Sequence, residues 1–421
     1  MMQLETTMKR AGVPTGAVDR LSALPDALLH AILFFLPSPQ VVRTCVLSQR
    51  WRHLWRSTPC IKINEQDFGF SAGISNVPLE ERWARFEGFA TNLLLSLDNT
   101  SPLDEFCLCS RVYNQCHVDR WIRRGIEYCP AVLHVLIVGR DYRLKLPAMA
   151  SSSFHRLKRL HLLHVDLDGQ FADLLPACPV MEDLDLEGCK FSGDFSQGMT
   201  SFTLKKLALN YCKNNTSRPL VITAPSLSDL DLTYGCYQAG IMLSKMDFLV
   251  GAMIEITENL TLSQSTRRGL LGSLFNVTSL ELSGFEAKAM LNSKSNTLPI
   301  FCNMRTLCLN CCFLDECELS DRLEALGCFL QKAPCLEELT LSCSMFLSSS
   351  DSEWETGRKK GEFPQKNITL RRQDRKTFQC HKLKLIKVMY DHDQDHRLIE
   401  LVWRLGRTLP DVNIELTKED D

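Results

Sequence analysis

The chain has no apolar run of 18 residues, and its first twenty residues, MMQLETTMKRAGVPTGAVDR, hold no apolar core of the kind a secretory signal needs. A membrane span is therefore not expected, and the protein is read as intracellular, cytoplasmic or nuclear. Neither sign of charge is in excess: 48 Lys and Arg oppose 50 Asp and Glu over 421 residues, a formal charge of −2. A phosphate-binding domain concentrates basic charge, so this balance argues against a nucleic-acid partner. There is no Gly-rich phosphate loop, no Gly-x-Ser-x-Gly elbow and no His-Glu-x-x-His, which removes the common signatures of nucleotide, esterase and zinc-protease chemistry. What is present is average for a globular chain, with 45% hydrophobic and 23% charged residues, and this excludes collagen-like and disordered classes. The 19 cysteines would signal disulfides in a short secreted chain; in a long intracellular one they are expected as reduced thiols at apolar positions. The triplets Asn99-Thr100-Ser101 and Asn276-Val277-Thr278 are read as chance for the same reason.

Residues 19–59, DRLSALPDALLHAILFFLPSPQVVRTCVLSQRWRHLWRSTP, carry three short helical patterns. Pro25-Asp26 opens the first, in which Leu28, Leu29, Ile32, Leu33 and Leu36 recur at helical spacing before Pro37 ends it. Ser38 ahead of Pro39 predicts an N-cap and a second helix through Val41, Val42, Cys45 and Val46. Ser48 is expected to cap a third helix holding Trp51, Leu54 and Trp55. About 40 residues cannot normally bury so apolar a surface, so a partner or the rest of the chain must cover it.

Leu24-Pro25-Asp26, the Val-Arg-Thr-Cys-Val-Leu-Ser run from Val42, and Arg50-Trp51-Arg52-x-Leu54-Trp55 together resemble a plant-type F-box, in order and over the whole motif. The resemblance implies a module that docks on the Skp-family adaptor of a cullin-based, SCF-type ubiquitin ligase by laying a helical apolar face into an adaptor groove. Carried onto this sequence, the adaptor contacts are Leu24, Pro25, Leu28, Ile32, Leu36, Val42, Leu47 and Trp51. A small helical bundle packed only on its own chain is one rival reading. A helix-turn-helix with Arg50, Arg52 and Arg56 on phosphates is another. Those arginines alternate with Trp51, His53 and Trp55, so the two sets cannot share one helix face, and a solvated rim around an apolar stripe accounts for them.

Beyond the module a second pattern recurs: apolar-x-x-Leu-x-Leu. Clear copies are Leu157/Leu160/Leu162, Met181/Leu184/Leu186, Leu204/Leu207/Leu209, Leu227/Leu230/Leu232, Val277/Leu280/Leu282, Met304/Leu307/Leu309 and Leu336/Leu339/Leu341. Weaker ones are Leu103/Phe106/Leu108, Val132/Val135/Ile137, Leu260/Leu262 and Leu383/Leu385. The steps fall mostly within the roughly 20–29 residues of leucine-rich repeats. Leu-x-Leu is a short strand with alternate side chains in one core, and the residues between copies must return the chain to a parallel neighbour. FADLLPACP and LGCFLQKAP are candidate return helices. Cys189, Cys212, Cys236, Cys312 and Cys343 follow the strands where leucine-rich repeats place Asn or Cys, and the resemblance implies that each turns inward to the next coil's backbone.

Between module and repeats, Trp83, Phe86, Phe89, Leu93 and Leu94 at helical spacing, then Leu103-x-x-Phe106-x-Leu108 and Trp121-Ile122-Arg123-Arg124, resemble the linker of plant F-box/leucine-rich-repeat proteins, where a helix seals the array. At the far end, Leu383 to Val388, Leu398 to Trp403 and Val412-x-Ile414 resemble the strand-helix-strand of the FBD tail, with Tyr390 to His396 standing where that tail usually has glycine and aromatic residues. Asp391, His392, Asp393, Asp395 and His396 are metal-ligating types, but acidic residues at a strand-to-helix turn also suit the coming helix N-terminus. Cys308-x-x-Cys311 with Cys312 has no second ligand pair at zinc spacing. No metal, cofactor or catalytic residue is expected.

The expected fold class is α/β: a short three-helix F-box followed by an irregular leucine-rich-repeat solenoid with a parallel sheet on its concave side. The expected divisions are a disordered start over 1–18, the F-box over 19–60, a helical linker and cap over 61–130, repeats over 131–343, a polar insertion over 344–377 whose Arg358-Lys359-Lys360 is read as solvated loop, and a last strand with FBD-like cap over 378–416. The expected function is substrate recruitment to the ligase, with an unknown target protein on the repeats and neither membrane nor nucleic acid as partner. A repeat scaffold with no role in ubiquitination is the alternative.

Overall fold

Side chains two apart along a strand share a face, so each Leu-x-Leu commits its two leucines to one core. The structure, a computed structural model, describes residues 20–68, 78–98, 102–111, 114–139, 144–146, 154–193, 198–237, 239–244, 246–255, 269–285, 299–310, 312, 319–342, 380–390 and 396–418. The expected disordered start, the Leu260/Leu262 copy, Cys311, Cys343, the polar insertion and the 391–395 acidic run lie outside the described residues. The fold class is mixed α/β, in two compact units, Met1–Cys107 and Leu108–Asp421.

In the first unit, α1 (Asp26–Phe34), α2 (Ser38–Arg43) and α3 (Trp51–Leu54) precede strand β1 (Cys60–Asn64) and the long α4 (Leu79–Ser96). Pro78 and the acidic pair Glu80 and Glu81 open α4, which buries Phe86, Ala90, Leu93 and Leu94 along one face. Phe68 packs its ring on Phe86 and Phe89, with centroids 5.6 and 5.1 Å apart. Strand β2 (Glu105–Ser110) straddles the division between the units.

The second unit is built on strands β3 (Val132–Ile137), β4 (Arg159–Leu163), β5 (Asp183–Glu187), β6 (Lys206–Asn210), β7 (Asp229–Thr233), β8 (Gly251–Glu255), β9 (Ser279–Ser283), β10 (Thr306–Asn310), β11 (Glu338–Ser342), β12 (Leu385–Tyr390) and β13 (Asn413–Lys418). They follow one another across one sheet in chain order, and every pair is parallel. The register is that of the sequence pattern. Leu160, Leu184, Leu207, Leu230, Ala252, Leu280, Leu307, Leu339 and Ile386 stand side by side, and each is buried. A second ladder two residues on runs from Leu162 through Leu209 and Leu282 to Val388. Burying one such side chain stabilises by about 1.5–3 kcal/mol, which no single short strand gains alone.

Three weak copies shift. The strand beside β7 is not Leu260/Leu262 but β8, whose inward residues are Ala252 and Ile254. In the last repeat the inward pair is Ile386 and Val388, with Leu383 buried ahead of them and Leu385 on the other face. In β3 the inward set is Leu133, Val135 and Ile137, leaving Val132 half-buried.

Both stretches nominated as return helices are helical. Helices form at α6 (Gly169–Leu174), capped by the Asp168 carboxylate on the Gln170 amide, and at α7 (Leu319–Gln331), the two places the sequence nominates. Among the described residues, one further helical turn lies at 269–272, and other short returns run extended and pair among themselves, giving a five-stranded sheet through Lys190–Phe191 and Lys213–Asn214 and a three-stranded one through Leu220–Thr223. A turn of chain only about 23 residues long leaves little length for a helix once its strand is formed. The buried cysteines also differ from expectation. Cys189, Cys212 and Cys312 donate from Sγ to the carbonyls of Leu162, Leu186 and Leu282, so they satisfy the preceding coil, not the next. At Cys236 the following residue, Tyr237, takes the buried place.

The unit also holds α5 (Gln115–Glu127), capped by the Asn114 side chain on the Cys116 amide, and ends in β12, α8 (His396–Thr408) and β13, the strand-helix-strand order predicted for the tail.

Candidate functional site

The N-terminal module is small, and its helices are held by one apolar cluster. Leu29, Leu33, Val41, Trp51 and Leu54 are buried together, with Leu24, Leu36 and Trp55 packed against them. Polar ties close the ends. The Trp51 indole nitrogen donates to Ser22 Oγ at 3.2 Å, and Ser22 and Ser48 share a hydroxyl hydrogen bond at 3.0 Å. Arg50 reaches the Asp26 carboxylate at 2.6 Å and also donates to the Ser22 carbonyl.

The caps differ from those the serines predict. Pro37 occupies the cap position of α2, and Ser38, buried, accepts the Lys62 amide of β1 at 2.9 Å. Ser48 does not cap α3, which begins at Trp51 behind Arg50. Lys62 further binds the module to β1, its ammonium 4.8 Å over the Phe34 ring and 3.5 Å from Glu105.

α1 carries two apolar stripes. Leu29 and Leu33 turn inward and are fully buried, while Leu28, Ile32 and Phe35, at the i, i+4, i+7 spacing of a single face, point to solvent. Val46 and Leu47 are exposed as well, and Phe35 and Val46 are 80% and 83% accessible. Large apolar side chains left this bare in one short stretch mark a surface made for burial by something else.

The eight residues assigned to the adaptor thus divide. Leu28, Ile32 and Leu47 are exposed apolar side chains, Pro25 is exposed at the α1 cap, and Val42 is half-buried. Leu24 and Leu36 lean into the cluster. Trp51, 2% exposed, belongs to the module's own core. Phe35 and Val46, which the motif reading passes over, are the most exposed apolar residues of the module; the signal was their apolarity just outside the recurring Leu positions.

The helix-turn-helix alternative loses its geometry here. α3 is a single turn, Arg50 is engaged with Asp26, and Arg56 donates to the Ser96 carbonyl at 2.7 Å and lies 3.5 Å from Asp98. Burial, helped by the Glu105 carboxylate, pushes the Cys60 thiol up to about 12, and burial does the same to Cys178. Among the described residues no group of three or more His, Cys, Asp or Glu is placed to hold a metal ion, and no helix is long and apolar enough to cross a membrane.

Comparison with known proteins meets this module first: residues 21–62 match the F-box domain model, so the chain carries an F-box. Over the whole length it is 30% identical to MEIOTIC F-BOX protein MOF of Oryza sativa subsp. japonica, across 442 aligned residues that cover 95% of this chain and 88% of that one. An F-box/FBD/LRR-repeat protein of Arabidopsis thaliana is 26% identical over 80% of this chain and 81% of its own. An FBD-associated F-box protein of the same plant is 27% identical, with 82% and 81% covered. The chain belongs to the plant F-box/FBD/LRR family.

Proposed function

We propose that the chain is a substrate-recruiting subunit of an SCF-type ubiquitin ligase. The observation that carries this is the second apolar stripe of α1: Leu28, Ile32 and Phe35, with Val46 and Leu47, form the face that enters the Skp-family adaptor and, through it, joins the cullin. Leu24, Pro25, Leu36 and Val42 support that face from its edge, and Trp51 holds it in shape from beneath.

The strands β3 to β13 are the coils of a leucine-rich-repeat solenoid, α5 seals its start, and β12, α8 and β13 form its FBD-like end. The sheet's outward residues present a surface to a target protein in the cytosol or nucleus. The chain performs no bond-making; it raises the local concentration of target beside the ubiquitin donor, an effect of tethering.

The test is capture of the purified adaptor by the full chain. Leu28→Glu with Phe35→Glu should weaken capture about 100-fold, about 2.7 kcal/mol, because two charges would enter an apolar groove. Both side chains are exposed in the free chain, so its melting temperature should hold within a degree or two. Undiminished capture contradicts the proposal, and a chain that melts normally but never binds adaptor supports the scaffold alternative.

A further inference from the structure

We infer that the outward face of strands β5 to β9 binds a lysine- or arginine-rich segment of the target, gripped between a row of carboxylates and a stacked tyrosine pair. This rests on the recruiting role proposed above and names the chemistry of what is recruited.

The outward residues at the centre of these strands lie in register as Asp185, Ala208, Asp231, Met253 and Glu281. Glu187 and Glu255 are the next outward residues on their own strands. Among the described residues no lysine or arginine forms an ion pair with any of these five carboxylates. Among the described residues His161 is the basic group that reaches them, its Nε2 3.7 Å from Asp185 and 4.0 Å from Glu187, and the Asn310 side-chain amide donates to Glu281 at 2.7 Å. Elsewhere the sheet balances its charges: Arg159 faces Asp183, Lys205 faces Glu182, and Arg305 and Lys384 share Glu337. Burial raises Asp185, Asp231 and Glu255 above the ordinary carboxylate range, and neighbouring carboxylates raise Asp185 and Glu255 further, the state an incoming cation relieves.

Beside this row stand Tyr211 and Tyr234, their rings stacked 4.6 Å apart at 9° and about half exposed. Each directly follows its strand. His164, Gly188 and Tyr211 repeat one hydrogen bond there, from the backbone N–H to the last carbonyl of the neighbouring strand, at Glu187, Asn210 and Thr233. The position demands a positive φ, 56°, 58°, 54° and 51° at His164, Gly188, Tyr211 and Tyr234. Glycine takes that conformation readily and appears at Gly188 and again at Gly284, whereas a bulky residue there is an outlier. Half-exposed rings contribute modestly to the core, and the backbone at these two turns would be satisfied by glycine. The Tyr234 hydroxyl stands beside the Glu255 carboxylate and opposes the rise that burial causes there, which joins the pair to the acidic row.

Aromatic faces beside carboxylates are what an ammonium or guanidinium group needs: cation–π contact on one side, ion pairing on the other, and Met253 for the aliphatic stem. A polyanion such as nucleic acid is repelled by the same face.

The experiment is fluorescence anisotropy of the full-length chain with a labelled peptide of alternating lysine and alanine, against one of glutamate and alanine, at physiological salt. The lysine peptide should bind and the glutamate peptide should not. Asp231→Asn with Glu255→Gln should weaken binding about tenfold, and Tyr211→Gly with Tyr234→Gly about threefold or more. Glycine suits the left-handed backbone, so that second variant should fold, as its melting temperature will report. Equal weakening by Glu182→Gln with Glu337→Gln, or equal affinity for both peptides, overturns the inference by showing only diffuse charge. Adaptor capture on the same samples separates this from the recruiting role: it stays intact if only the basic-segment assignment is wrong.

Discussion

Leu28 and Leu29 are neighbours in sequence and opposites in role, because one residue along a helix turns the side chain by about 100°. Leu33, on the inner stripe with Leu29, should cost about 2–5 kcal/mol when changed to alanine, measured by denaturant unfolding of the full chain. Leu28→Ala, on the outer stripe, should change stability by less than about 0.5 kcal/mol while weakening adaptor binding. Periodicity alone made both stripes visible but could not say which faced inward. The same ambiguity put Trp51 among the docking residues, since an aromatic in a motif looks alike whether it is a core pillar or a contact. Asp231 gives a pH test. Burial holds its folded-state pKa above the unfolded value, against an opposing hydrogen bond from Thr233, so the folded chain keeps a proton where the unfolded one has lost it. Stability therefore falls as pH rises from the ordinary aspartate value through the folded one. Asp231→Asn should melt higher than the parent at neutral pH, and that gain should vanish as pH drops through about 4. A gain that persists in acid contradicts this origin.

At the scale of elements, two glycines make opposite predictions. Gly188 has φ of 58°, and an added Cβ would stand 2.3 Å from the His164 ring, so Gly188→Ala should cost about 1–3 kcal/mol. Gly88 sits within α4 with nothing within 4 Å of an added Cβ, so Gly88→Ala should gain about 0.5–1 kcal/mol, seen as a higher melting temperature. The leucine-bearing strands were legible because alternation and period coincide in them. β8 was not: Gly251-Ala252-Met253-Ile254 offers one small and one branched inward residue and no leucine, and only its neighbours' register fixes it. The short return strands were equally hidden, since two-residue pairs such as Lys213–Asn214 have no period to detect and exist only because adjacent coils repeat.

At the scale of the molecule, the two units bury apolar surface by different means. The repeats are stabilised by stacking, each strand covering the next, which is why average composition and a scatter of short leucine patterns suffice to build a long sheet. The F-box has no such neighbour in its own sequence pattern, and its outer stripe stays bare in the free chain. Hydrogen exchange measured on the full chain with and without the purified Skp-family adaptor tests that difference most directly. Exchange should slow only in the backbone between Asp26 and Leu47, with strands β5 to β9 unchanged. Exchange between Asp26 and Leu47 that is indifferent to a saturating excess of adaptor would contradict it.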